Sequence, residues 1–133
     1  MTQKDKDLLL KDLCARLPYG VKVNITSKES KNRIVHLTAD NICNLTSGWW
    51  SECKPYLFPL SRLNNLTEEQ RKTLKVMCDW NDEEADAQSI LVLYQKHFVM
   101  KSDVIDWLHK NHFDYRGLIP MGLAEDATDK NVY

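Results

Sequence analysis

The chain has 133 residues, with 18 Lys+Arg against 19 Asp+Glu and four His, for a formal net charge of −1. That length implies one domain, and a 43% hydrophobic content with near-zero net charge excludes a wholly disordered chain. A dedicated nucleic-acid or anionic-membrane surface leaves a basic excess, and a sequence pI of about 6.4 shows none. Four glycines in the whole chain argue against a glycine-built phosphate loop or a many-turned sandwich. The expected class is α+β: a small antiparallel sheet over about residues 20–50, packed with an N-terminal helix and two or three C-terminal helices.

The first expected element is a helix near residues 5–17, with Leu10, Leu13, Cys14 and Leu17 at i, i+3, i+4, i+7 as its core stripe. Pro18 stops it and Tyr19-Gly20 turns the chain. Val21, Val23 and Ile25 alternate with Lys22 and Asn24, the period-2 pattern of a half-buried strand. The polar stretch 27–32 reads as a hairpin loop, with the return through residues 33–37. Ile42 and Leu45 suit either a third strand or a short helical turn, which Gly48 breaks before Trp49-Trp50. The stretch 54–60 carries Pro55 and Pro59, so it is expected to be extended without forming a regular central strand.

Thr67-Glu68-Glu69-Gln70 has the spacing of a capping box, opening a helix to about Asp79 that buries Leu74, Met77 and Cys78. Asn81 to Glu84 looks like another acidic helix entrance. Ala87, Ile90, Leu91, Tyr94 and Phe98 match a helical stripe, although Ile90 to Tyr94 is also a continuous apolar run that suits a buried strand. Ser102 caps a further helix to about Lys110, with Val104, Ile105, Trp107 and Leu108 on its apolar side. Residues 112–124, with two glycines and Pro120, are expected to form a turn with a short helical piece. The charged tail 125–133 is expected to fray, leaving 1–124 as the domain.

No apolar run is long enough for a secretory or membrane-spanning segment, so the expected compartment is the cytoplasm, without a membrane partner. Cys14, Cys43, Cys53 and Cys78 show no C-x-x-C spacing and are expected to be reduced and mostly buried. The densest polar cluster is Asp106, His109, Lys110, His112, Asp114, Tyr115 and Arg116. A zinc site needs convergent ligands, and two histidines separated by two residues supply them poorly; no metal and no cofactor is expected. His109 is expected to be a surface residue of little energetic weight, and Arg116 to pair with Asp114 or Asp106 in fixing the turn. Alternatively, Tyr115-Arg116 holds an anion. Trp49 and Trp50, with Tyr56 and Phe58, form either a binding face or a core; core is the preferred reading.

Three blocks, LLLKDLCARLPYGVKV at 8–23, KPYLFPLSRLNNLTEEQ at 54–70 and IDWLHKNHFDYRGLIPMGLA at 105–124, resemble a family of small proteins from Bacteroides-type gut bacteria and their phages or mobile elements. The tail after Ala124 departs from that pattern. The resemblance implies a source and a compartment and carries no activity, ligand or catalytic residue. Two functions therefore stand: a non-enzymatic accessory or interaction protein with an unidentified protein partner and no nucleic acid, using Trp49, Trp50, Tyr115 or Arg116; or a small enzyme or metal-dependent hydrolase using His109, His112 and Asp114. No nucleophile motif is present, which favours the first.

Overall fold

Thr2 starts the first helix, α1 (Gln3–Arg16), through a reciprocal cap. Its hydroxyl accepts from the Asp5 backbone N–H at 3.1 Å, and the Asp5 carboxylate accepts from the Thr2 N–H at 3.3 Å. Two of the helix's orphan donors are thereby satisfied. In this computed structural model the described residues are 2–29, 31–60, 62, 66–77 and 102–133. The expected helix or strand over 87–98, the acidic entrance at 81–84 and Cys78 lie outside them.

The buried face of α1 is Leu9, Asp12, Leu13 and Arg16, one position away from the expected Leu10, Leu13, Cys14 and Leu17. Cys14 is exposed. The register shifts because two charged side chains turn inward as a pair, which a stripe drawn on apolar residues alone misplaces. The cysteines are correspondingly less buried than expected: Cys43 is exposed as well, and Cys53 is buried.

The hairpin forms as its alternation dictates. β1 (Lys22–Ser27) pairs antiparallel with β2 (Arg33–His36), placing Val23 opposite Val35. The ambiguous stretch after it becomes a short helix, α2 (Ile42–Thr46), followed by Gly48 at φ +79°, a conformation that disfavours any side chain. β3 (Trp50–Pro59) then runs antiparallel to β1. β3 is the central strand, contrary to the expectation drawn from its prolines. Pro55 is the last partner on the β1 ladder, opposite Val23, and Pro59 is the last residue of the strand. Each ring therefore falls at the end of a ladder rather than within one.

The helix α3 (Glu68–Met77) opens with the expected box: Gln70 N–H donates to the Thr67 hydroxyl at 3.2 Å, and Thr67 N–H donates to the Gln70 amide oxygen at 3.1 Å. Leu74 is its buried residue. The helix α4 (Ser102–Lys110) buries Val104, Leu108 and His109. The chain beyond α4 has turns but no helical piece, and β4 (Phe113–Asp114) and β5 (Glu125–Asp126) both pair parallel to β3. The architecture is α+β, with a mixed sheet that extends well past residue 50.

The tail does not fray. Ala127 and Val132 are buried, and Ala127 N–H donates to the Leu57 carbonyl at 2.8 Å. The Tyr133 hydroxyl accepts from Lys22 N–H and donates to the Tyr56 carbonyl, both at 2.9 Å. A few apolar side chains and a strand's worth of backbone pairing outweigh the charges between them. β3 ties the packing together: Trp50 and Cys53 join the core under α1, Tyr56 packs with Ala127 and Val132, and Leu57 packs with Leu118 and Leu123. Phe58 packs against Leu74, Val104, Leu108 and Phe113.

Candidate functional site

The polar cluster of residues 106–116 does not assemble into one reactive centre. His109 is buried, with Nε2 at 2.8 Å from the Tyr115 hydroxyl. Burial and the neighbouring Arg16 charge push its pKa down, so it is neutral near pH 7. It is a core histidine, not the surface residue expected. His112 holds φ +62°, and its ring stacks on Tyr133 with centroids 3.6 Å apart. Burial, reinforced by Arg16 and Lys22, lowers its pKa to about 4.

Both carboxylate oxygens of Asp114 are engaged, accepting from the Leu118 and Ile119 backbone N–H groups at 2.9 Å each. This cap folds the chain back through Gly117, which holds φ +77°, a conformation that disfavours a side chain. The three residues of the enzyme reading thus serve three separate contacts. Among the described residues no group of three or more His, Cys, Asp and Glu lies close enough to hold a metal ion.

Arg116 pairs with neither Asp114 nor Asp106. Its Nε donates to Asp12 Oδ1 at 3.1 Å, across 104 positions of sequence. The other oxygen of Asp12 accepts from Arg16 Nε at 2.7 Å, and Arg16 Nη2 donates to the Phe113 carbonyl at 2.7 Å. Asp12 and Arg16 side chains are 0% exposed, while Arg116 retains 20%. The two guanidinium carbons lie 5.7 and 5.0 Å from the Tyr115 ring centroid, within reach of its π face. Asp12 and Arg16 were absent from the candidates read in the sequence. The signal available was their i, i+4 spacing on the same side as Leu9 and Leu13.

The aromatic candidates divide. Trp50 is 7% exposed and belongs to the core, whereas Trp49 is 56% exposed; Tyr56 is buried and Phe58 partly so. Trp49 stands between Gly48 and Trp50, which both line a cleft of about 480 Å³ between the first half of α1, the end of α2 and the start of β3. Leu9, Leu10, Leu45 and Trp50 supply its apolar lining, and Lys6, Asp7 and Glu52 its charges. Cys53 also borders it, with its thiol pKa pushed up to about 12 by burial. At neutral pH it is a protonated thiol and a poor nucleophile.

Among the described residues no helix is long and apolar enough to cross a membrane. No protein-family model, no curated protein and no solved structure matches the chain.

Proposed function

We propose that the protein is a non-enzymatic accessory or interaction protein, and that the cleft between α1, α2 and β3 is its binding surface. The cleft carries this reading. Its volume, about 480 Å³, falls within the range of roughly 300–1,000 Å³ usual for ligand sites, and an apolar lining bordered by a few charges suits an inserted side chain. Trp49, exposed beside it, is the type of residue that anchors protein interfaces. The ligand is a protein segment presenting a branched or aromatic side chain. In this reading the protein acts in the cytoplasm of a Bacteroides-type bacterium or within one of its mobile elements, without binding nucleic acid. The cleft offers no activated nucleophile, and His109, His112 and Asp114 each serve a separate contact.

An NMR titration of the ¹⁵N-labelled chain with small aromatic and branched aliphatic amides tests it. Shift changes are expected at Leu9, Leu45, Gly48 and Trp50 and at the Trp49 indole, with weaker binding in Trp49→Ala. Changes centred on residues 109–116 would reject the cleft. Turnover of an ester, phosphoester or peptide substrate that disappears in His109→Ala would instead establish the enzyme reading.

A further inference from the structure

At the opposite end of α1 from the cleft, like charge is crowded and hydrogen bonding is left incomplete. Two guanidiniums, Arg16 and Arg116, share the single carboxylate of Asp12. The other polar side chains around them hold contacts of their own. His109 is held uncharged, and burial pushes the Tyr115 phenol up, so it too stays neutral. Both Asp114 oxygens accept backbone N–H groups. His112, also facing Arg16, is neutral above about pH 4. Within the contact itself, two guanidiniums thus meet one carboxylate beside the Tyr115 ring.

The donors tell the same story. Arginine has five N–H donors, and the wholly buried Arg16 commits Nε and Nη2, while its Nη1 is buried with no hydrogen-bond partner among the described residues. Arg116 is anchored at Nε by Asp12, and its side chain retains 20% exposure. A guanidinium fixed at Nε presents its terminal nitrogens in a set direction, the arrangement that binds planar or tetrahedral oxyanions with two parallel bonds. Fixing it in advance reduces the ordering entropy lost on binding.

We propose that Arg116, oriented by Asp12 and backed by Arg16 and Tyr115, is an oxyanion-binding site for a carboxylate or phosphate group on a ligand. The site is independent of the cleft, and either can fail without the other.

The test is a titration of the full chain with sodium phosphate and, separately, sodium acetate, at pH 7 and constant ionic strength held with chloride. The readouts are the melting temperature and the NMR signals of Arg116 Nε–H and the Tyr115 ring. A saturable response is expected, weakened about tenfold or more in Arg116→Gln, the scale of losing one charge-assisted hydrogen bond. It should be unchanged in Arg33→Gln, which removes an exposed arginine on β2. Circular dichroism checks that Arg116→Gln is folded. Should it unfold, Arg116→Lys keeps the charge and loses the planar fork, and weaker binding there supports the same assignment. Response to phosphate alone makes phosphate the ligand class, and response to acetate alone makes it carboxylate. No saturable response to either anion, or equal responses in wild type, Arg116→Gln and Arg33→Gln, overturns the proposal.

Discussion

The helices α1 and α4 contribute to the same fold with opposite kinds of buried face. α4 turns inward Val104 and Leu108, and its one polar buried residue, His109, finds Tyr115 a few positions on. α1 turns inward Leu9 and Leu13 together with Asp12 and Arg16, whose remaining partners are near residues 113 and 116. An apolar face accepts any close-packed neighbour, whereas a buried ion pair requires particular ones. α4 is thus positioned by volume and α1 by hydrogen-bond geometry.

The sharpest way to break that contrast is Arg16→Ala. It takes the donor from Asp12 Oδ2, leaving Arg116 on Oδ1, removes the donor to the Phe113 carbonyl and empties packed volume, at an expected cost of about 4–5 kcal/mol, the upper part of the range for breaking a buried pair. Urea melts measure it. Replacing both partners by apolar residues, Asp12→Leu with Arg16→Met, is expected to recover a large part of the loss. No recovery would show that the pair is needed beyond its own neutralisation.

On the side of α4, Phe113→Ala removes a buried ring that stacks on Trp107 at 5.7 Å between centroids and packs against Leu108. The expected loss is about 3–5 kcal/mol, and a melt indistinguishable from the parent would mean that α4 is not held by volume. His109→Ala is expected to cost less, about 1–3 kcal/mol, because it leaves the Tyr115 hydroxyl without its partner. Tyr115→Phe in the same melts separates that hydrogen bond from the packing of the imidazole.

A pH dependence extends the comparison to the chain that leaves α4. His112 titrates near 4 when folded against 6.5 for the unperturbed group. As pH falls below 6.5 the unfolded chain takes up a proton that the folded chain refuses, so stability declines until about pH 4 and this contribution then levels off. His112→Asn tolerates the positive φ and has nothing to titrate. Its melts should show a shallower decline over that window, and an equal slope would place the pH sensitivity elsewhere.

Patterns of short range were readable from the residues. The β1–β2 hairpin, the Thr67 box and the apolar face of α4 follow from spacings within a few positions, and all three are present. What escaped was decided by distant partners. The stretch with Pro55 and Pro59 became central because β1, β4 and β5 met it between and beside the rings. The tail became ordered because Leu57, Tyr56 and Lys22 received it. Among the candidate site residues, Tyr115 and Arg116 do lie together, while Trp49 and Trp50 separate because Trp50 opens β3 and packs under α1, whereas Trp49 lies in the bend before the strand. Asp12 and Arg16 went unread because charged residues on a helix ordinarily face water, and the partners that bring them inside lie about a hundred positions away.

That separation imposes an order on synthesis. α1 leaves the ribosome first, carrying a charge pair on the face that must be buried. Until residues 113–116 have been made, the Phe113 carbonyl and the Arg116 guanidinium are missing and water is the better solvent for that face. Leu9 and Leu13 can already pack on Val21, Val23 and Trp50, while the Asp12–Arg16 pair beside them still lacks its later partners. Residues 113–116 complete the polar half of that face, so a stalled or truncated product holds α1 by its apolar half alone and leaves it more open to proteolysis.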